Sequence, residues 1–491
     1  MDQVFDVAII GGGINGCGCA ADAALRGLSV VLLEQDDLAS KTSSKSTGLI
    51  HGGLRYLEQL DFSLVKKALN ERQILLQIAP HLVSPLPFVL PYQSSTRPFW
   101  LIRLGLFLYD HLSSKNKLPH SSTLTRAHDL FYFDSLNDHI SKGLMYYDCA
   151  TDDARLTIEN ALLAQLHGAN ILTHTSVLEG IVQNNIWHLK LSSKDEKLEY
   201  IRAKAVINTA GPWVNKINQQ LHINDKHTVT LVKGSHLVVP KLYKGQHAYL
   251  LQHKDKRIIF TIPYHGLTLI GTTDVAYNGS LKHLSISGAE IDYLLSITQS
   301  YFKTSVDKSQ IITSWSGVRP LVTSIGKNPT TLSRDYQIDF SNIEAPVVSV
   351  FGGKITTYRH LAVDTIDKLR EVFKDLPPSC TASTPLPGAM FGELDFVKYQ
   401  TFARQKYGWL DTAVLEHYLH RYGTRSEHLL NGHNSMSSLG IQFSPILFQA
   451  EIDFLVETEW AQNADDILWR RTKFGLSIDN AMKSALENYL L

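Results

Sequence analysis

Cysteine is scarce, with four in 491 residues: Cys17, Cys19, Cys149 and Cys380. None forms a Cys-x-x-Cys pair, so zinc and redox-disulfide chemistry lose their usual sequence support and no metal site is expected. All four are expected to be small buried residues in a reducing compartment. No apolar run reaches about 18 residues without a charge, so no spanning helix is expected and any membrane contact must be peripheral. Asp2 and Asp6 stand where a secretory signal would carry basic residues, and no signal peptide is expected. Charge of either sign is not in excess: Lys+Arg and Asp+Glu both number 47. The chain as a whole therefore has no field that would draw in nucleic acid, and none is expected as a partner. No short-period repeat is evident.

What is present is a globular composition, 44% hydrophobic and 19% charged, in a chain long enough for about two to four domains. Residues 5–10 read as a buried strand that runs at once into Gly11-Gly12-Gly13-Ile14-Asn15-Gly16. A helix is expected from about Asn15 to Arg26, ended by Gly27, then a strand at 29–33 that terminates in Glu34. In such a unit Gly11 permits the tight turn and Gly13 lets the backbone approach a pyrophosphate. Gly16 lets the helix pack on the strand. The helix N-terminus offers N–H groups to phosphate, and Glu34 suits the adenosine ribose hydroxyls. Strand, glycines, helix, strand and acid in this order point to a dinucleotide site.

Only one such glycine motif is found, which favours FAD over a reductase that also holds a nicotinamide cofactor. The stretch 42–56, Thr-Ser-Ser-Lys-Ser-Thr-Gly-Leu-Ile-His-Gly-Gly-Leu-Arg-Tyr, also looks like a flavin contact segment. Its hydroxyls and glycines can meet phosphates and a ring edge with little steric obstruction. A mobile polar loop is the alternative reading of that stretch.

Later segments return to the same alternation. A helix is expected at 153–164, strands at 170–174, 205–209 and 347–350, and a helix from Thr357 through about Leu369. Strand-like stretches at 237–239, 257–262, 267–270 and 311–315 suggest an antiparallel sheet between these pieces. Residues 377–388 read as a linker, and the pattern beyond about 392 is helical, including 414–421 and 450–461. The expected architecture is α/β: a Rossmann-like FAD-binding domain (1–90, 150–225 and 335–376), an inserted antiparallel-sheet substrate domain (91–149 and 226–334), and a C-terminal helical cap (388–491).

The segments 9–16, 49–57, 152–156, 208–213, 232–240, 270–274, 315–321, 349–359 and 469–473 together resemble the aerobic, FAD-dependent glycerol-3-phosphate dehydrogenases of bacterial type. These are relatives of the glycine and D-amino-acid oxidases, whose fold the resemblance implies. They are scattered over nearly the whole chain in the same order. No calcium-binding loop of the mitochondrial relatives is seen. One departure stands out: a lysine usually precedes the Leu-Ile-His-Gly-Gly run, whereas here the position is Gly48 and Lys45 lies three residues earlier.

The resemblance implies oxidation of sn-glycerol 3-phosphate to dihydroxyacetone phosphate by hydride transfer to FAD. It further implies a membrane quinone as acceptor, the inner face of the cytoplasmic membrane as location, a phospholipid surface as partner and a homodimer. A phosphorylated substrate needs cations, and a guanidinium gives bidentate contact; Arg55, Arg319 and Lys354 are the candidates. His236 is the first candidate base and His51 the second, because imidazole titrates near neutrality. Arg319 is also expected to stabilise developing negative charge. Tyr56, Thr273 and Asp274 are expected to shape the pocket. FAD contacts are expected from Gly11, Gly13, Asn15, Gly16 and Glu34, from Thr42, Ser43, Ser44, His51, Gly52 and Gly53, and from Ala210, Gly211, Gly353, Lys354, Thr356 and Thr357.

The stretch 97–109, aromatic and apolar with arginines at 97 and 103, suits an interfacial helix and a core helix equally. Arg470, Arg471 and Lys473 are expected on a solvated helix face. The competing functions are a glycerol-3-phosphate oxidase using oxygen, an amine or amino-acid oxidase of the same fold, and a non-catalytic flavin-binding module.

Overall fold

The strand Val4–Ile10 is the centre of a sheet whose neighbours come from three distant parts of the chain. The computed structural model describes residues 3–54, 57, 61–93, 97–113, 115–193, 197–255, 257–324 and 335–490. Parallel strands lie in the order Val347–Phe351, Leu198–Asn208, Val4–Ile10, Val30–Leu33 and Asn170–Leu172. Val30–Leu33 and Val347–Phe351 are buried throughout, as strands covered on both faces must be. The strand Gln337–Ser341 closes one edge antiparallel. The hairpin Thr175–Gln183 and Ile186–Ser193 pairs onto the first half of Leu198–Asn208.

The helices Ile14–Leu25, Asp153–Leu166 and Tyr358–Lys368 pack together on one face of this sheet. Small residues make that possible. A Cβ at Gly18 would lie 2.8 Å from the Tyr358 ring, and Ala20, Ala21, Ala23 and Ala24 are all buried. On the other face Trp187, Leu189 and Leu191 of the hairpin pack with Leu221, just past the helix Val214–Gln220.

The second large sheet has ten described strands. His227–Val239 pairs antiparallel with Thr313–Ser324 on one side and with Leu267–Gly271 on the other. Ile258–Tyr264, Ala248–Gln252, Val83–Pro91, Lys142–Thr151 and Leu49–Ile50 continue it. One join, Ala248–Gln252 with Val83–Pro91, is parallel, which the expectation of a purely antiparallel sheet lacked. The chain also enters this sheet earlier than expected. Leu49–Ile50 and Val83–Pro91 both lie in it, although all of their residues but Pro91 fall within the 1–90 segment expected in the nucleotide domain. The reason is positional: the stretch 42–54 runs from one sheet to the other.

Residues 377–386 carry no helix or strand. The C-terminal part is built from the helices Phe396–Lys406, Thr412–Tyr422, Ser426–Leu429, Gln449–Thr458 and Asn480–Tyr489 around a core of their own. A small two-stranded hairpin, Gln442–Ser444 with Leu447–Phe448, was not expected there. Two further expectations fail. Cys380 is exposed, while Cys17, Cys19 and Cys149 are buried; Cys380 sits in the irregular 377–386 stretch, where no element covers it. Arg471 is fully buried and Arg470 and Lys473 nearly so, because carboxylates of the nucleotide domain face them. Both arginines pair with Asp37, and Lys473 lies 3.5 Å from Asp153.

The stretch 97–109 forms the helix Phe99–His111, with one face packed in the core and the other exposed. Ile102, Leu106 and Tyr109 are buried, while Trp100, Leu101, Leu104, Phe107 and Leu108 are exposed.

Candidate active site

A cavity of about 570 Å³ runs between the two sheets. Its nucleotide end is made by the first strand, turn and helix. Gly11 has φ +112, and a Cβ there would lie 2.8 Å from the Thr209 carbonyl. A Cβ at Gly16 would lie 1.8 Å from the Gly11 carbonyl, so only glycine lets the helix sit this close to the turn. A Cβ at Gly13 would meet only Ser43 Oγ, at 3.1 Å, and that hydroxyl accepts from the Ile14 N–H at 3.0 Å. The helix start is thus an open cradle of N–H groups facing a hydroxyl.

Glu34 ends its strand at the cavity wall. Its carboxylate accepts from the N–H of Gly12 at 2.6 Å and of Asp36 at 2.8 Å. Burial raises its pKa to about 7 despite those bonds. Asn15 donates to the Gly352 carbonyl at 3.2 Å, and its Oδ1 is buried with no partner. Gly352 and Gly353 have φ of +80 and +102, and a Cβ on Gly353 would strike the Asn15 amide. The cradle at Gly13, the buried acid at the second strand end and the orphaned Asn15 oxygen fit the pyrophosphate and adenosine of FAD.

The middle of the cavity is walled by the stretch 42–54. The His51 N–H donates to Thr356 Oγ1 at 3.3 Å, and the Gly52 N–H donates to the Tyr109 hydroxyl at 2.7 Å. Tyr109 donates in turn to Asp148, which also takes Arg72. Thr42, Gly53, Ala210, Gly211, Lys354 and Thr357 line the wall. Ser44 does not line it; its hydroxyl turns back to the Lys41 carbonyl. Gly16 lies behind the wall, in the packing role described. Arg55 and Tyr56 fall outside the described residues.

The far end is a trough in the second sheet. Strand register sets His236 opposite Trp315, Gly234 opposite Gly317 and Val232 opposite Arg319. All six side-chain directions share one face. The two glycines let neighbouring groups approach the strands closely between the histidine and the arginine. A Cβ on Gly234 would lie 3.1 Å from Arg319 Nη2, and one on Gly317 would lie 2.9 Å from Lys45 Cβ. Sequence reading passed over both glycines; their signal was glycine within strands, which marks close approach.

His236 is 1% exposed and stacks on Trp315 with centroids 5.5 Å apart. Its Nε2 is 3.0 Å from Thr47 Oγ1, and Nδ1 has no partner. Burial first and the Arg319 charge second lower its pKa to about 3. The Arg319 charge is therefore the smaller cause. His51 is also lowered, mainly by burial, with Asp148 opposing.

Arg319 Nη1 lies 3.8 Å from Asp274 Oδ1, and its Nη2 donates to Thr272 Oγ1 at 3.4 Å. Thr273 lines the cavity, but its hydroxyl is committed elsewhere. It donates to Glu290 and accepts from the Ser235 N–H, inside a buried network completed by Lys233. Its hydroxyl thus fixes the strand beneath the cavity that Thr273 lines.

Four further cations line the cavity that sequence reading did not assign to substrate: Lys41, Lys45, Lys216 and Arg257. Arg257 is held by Asp255 at 2.6 Å and stacks on Tyr293. Lys45, noted for its displacement from the usual lysine position, also reaches the wall, and burial lowers its pKa. Gly48, which takes the usual lysine's place, has φ +67 and would put a Cβ 2.8 Å from the Thr151 carbonyl. No metal-holding cluster occurs among the described residues.

A sequence profile described as FAD dependent oxidoreductase (DAO) matches residues 6–352, and one described as the C-terminal domain of alpha-glycerophosphate oxidase matches 379–489. The chain is 46% identical over its whole length to a glycerol-3-phosphate dehydrogenase of Pseudomonas aeruginosa, covering 96% of that protein. It is 44% identical over 98% of its length to a D-erythritol 1-phosphate dehydrogenase of Brucella abortus, covering 97% of it. Its structure is similar to that of the glycerol-3-phosphate dehydrogenase from Bacillus halodurans complexed with FAD. The TM-score is 0.78 at 27% identity, over 100% of this chain and 94% of that one.

Proposed function

The chain belongs to the DAO family of FAD-dependent oxidoreductases and, within it, to the glycerol-3-phosphate dehydrogenases; on that premise we propose that it oxidises sn-glycerol 3-phosphate to dihydroxyacetone phosphate and hands the electrons to a membrane quinone. FAD is the cofactor, and when bound it supplies the acceptor for the hydride leaving the carbinol carbon.

The chain's own residues divide the remaining work. Gly11, Gly13, Asn15 and Glu34 hold the nucleotide. The segment 42–54, with Ala210, Gly211, Gly353, Thr356 and Thr357, holds the rest of the cofactor. Arg319 and Lys354 bind the substrate phosphate, and Arg55 is assigned the same task from sequence. His236 is the first candidate to accept the hydroxyl proton; burial lowers its pKa to about 3, so it is neutral near pH 7 but a weaker base than an ordinary imidazole, and His51 is the second candidate. Arg319 also offsets the negative charge that develops as the proton leaves.

The observation that carries this reading is the glycine-floored trough with His236 at one end and Arg319 at the other, opening on the nucleotide cradle. An amino-acid oxidase would need a different clamp, and a binding module needs no such trough. Membrane association is proposed through the exposed apolar face of Phe99–His111. No helix among the described residues is long and apolar enough to cross a membrane. The cytoplasmic face and a homodimer complete the proposal, on the resemblance alone.

The test is anaerobic addition of sn-glycerol 3-phosphate to the yellow protein, following flavin absorbance. Bleaching that glycerol and amino acids do not cause is the expected result. Faster bleaching by D-erythritol 1-phosphate would replace the substrate, and no bleaching by either at full FAD occupancy would overturn the reading. Stoichiometric peroxide in air would make oxygen the acceptor.

A further inference from the structure

Asp153 is a buried carboxylate in the first turn of its helix, where Oδ1 accepts from the Ala154 N–H at 2.9 Å. Asp152 already caps the helix Asp153–Leu166, accepting from the Arg155 N–H at 3.1 Å. Asp153 also reaches across to the segment that walls the cavity. Its Oδ2 takes both the Ser46 N–H, at 3.0 Å, and the Ser46 hydroxyl, at 2.7 Å. On its other side, Oδ1 lies 3.5 Å from Nζ of Lys473 in the C-terminal domain, and both side chains are under a tenth exposed.

The bonds around Ser46 define a turn. Ser46 Oγ accepts from the Gly48 N–H at 3.0 Å. Gly48 adopts a left-handed φ of +67, and its carbonyl accepts from the Thr151 N–H at 2.8 Å. Between Ser46 and Gly48 sits Thr47, whose hydroxyl is 3.0 Å from His236 Nε2. The turn is pressed from the other side by strand Thr313–Ser324, where Gly317 gives Lys45 room. His236 is held flat on Trp315 of that same strand. Burying a charge pair of this kind does not on balance stabilise a fold relative to apolar side chains. Its geometric consequence is specific: it fixes one hydroxyl against one ring nitrogen.

We propose that Asp153 is a positioning residue that grips Ser46 and so holds the Thr47 hydroxyl on His236 Nε2, with Lys473 of the C-terminal domain as its counter-charge. The C-terminal domain thereby becomes part of the support of the reaction centre. With Nε2 engaged by Thr47, one ring nitrogen of His236 has its partner set before substrate arrives, so the orientation of the ring is fixed. This inference rests on the proposed role of His236, and its test separates the two.

The test compares FAD-loaded wild type with Asp153→Asn, Lys473→Met, Thr47→Val and Thr47→Ser. Anaerobic flavin reduction by sn-glycerol 3-phosphate is followed in stopped flow, and amide exchange of residues 42–51 is followed by mass spectrometry without substrate. FAD content is measured throughout. Asp153→Asn and Thr47→Val are expected to keep FAD and to lower the maximal reduction rate about tenfold, the size of one lost hydrogen bond. The half-saturating concentration should change little. Thr47→Ser should recover most of the rate. Exchange of 42–51 should quicken in Asp153→Asn and Lys473→Met.

Wild-type rate and wild-type exchange in Asp153→Asn would overturn the proposal, as would Thr47→Ser being as slow as Thr47→Val. A lowered melting temperature with an unaltered rate in the FAD-loaded fraction would make the contact structural only and overturn it too. If Asp153→Asn does not load FAD, the Thr47 pair and Lys473→Met decide. If His236→Gln reduces flavin at the wild-type rate, the role of His236 fails; if the wild type itself is not bleached, the substrate reading fails. In both cases the exchange measurement still decides whether Asp153 and Lys473 hold the segment.

Discussion

At the scale of single residues, the site depends on where side chains are missing as much as on where they stand. Gly234 and Gly317, between His236 and Arg319, let Thr272, Arg319 and Lys45 approach the strands. Arg319→Ala should lower turnover by about a hundredfold or more, the usual cost of removing a charge-stabilising donor, and leave FAD bound. Reduction rates of fully loaded variant protein check this. His236 makes a pH prediction. Its folded pKa is about 3 against the ordinary 6.5, so between those values the unfolded chain holds a proton that the folded chain does not. Its contribution to stability is therefore complete above about pH 6.5 and is lost as pH falls toward 3. Denaturation midpoints across that window should slope less in His236→Gln. By the same displacement, flavin reduction should show no acid limb centred near 6.5.

At the scale of elements, the helix Ile14–Leu25 and the helix Phe99–His111 invite opposite experiments. The first is tied to the turn by contact so close that Gly16→Ala must push helix from strand, since its Cβ would overlap the Gly11 carbonyl. Overpacking of this kind costs about 1–3 kcal/mol, and FAD should be lost on gel filtration. The second helix has an apolar face with water on it. Leu104→Ser combined with Phe107→Ser should weaken binding to anionic lipid vesicles by about tenfold or more, on about 1.5–3 kcal/mol per apolar side chain removed from water. Flavin reduction in solution should be unaffected, because neither side chain reaches the cavity. Sedimentation with vesicles reads the difference.

At the scale of the whole molecule, the C-terminal domain is joined to the nucleotide domain by buried charge. Arg155 pairs with Glu459, which also takes Arg425; Arg421 reaches Asp152 at 3.3 Å; and Arg470 and Arg471 close on Asp37. Asp37 lies three residues past Glu34, on the same loop that leaves the nucleotide strand. Glu459→Ala would remove the shared carboxylate of two guanidiniums and leave them only Glu159, at 3.5 and 3.7 Å, at a cost of about 3 kcal/mol. Thermal unfolding of the two parts should remain a single transition at a lower temperature. Two separate transitions in the unaltered protein would contradict the coupling.

What the sequence determined by itself was whatever local chemistry dictates. Glycines at 11, 13 and 16 between a buried strand and a small-residue helix admit one close-packed turn, and an acid at the next strand end completes a nucleotide site. The run 42–54 and the singular motif pointed to FAD for the same reason. The helical character beyond 392 was legible from periodicity. Pairing across long separations was not. That Leu49–Ile50 leaves the first sheet for the second, that Gly234 faces Gly317, and that Thr273 turns its hydroxyl to Glu290 are matters of register and face, which no local pattern carries. The charged run at 470–473 read as solvated because its partners, Asp37 and Asp153, lie more than three hundred residues away. Burial of a charge is decided by the partner that tertiary folding brings to it, and only the folded chain shows which partner that is.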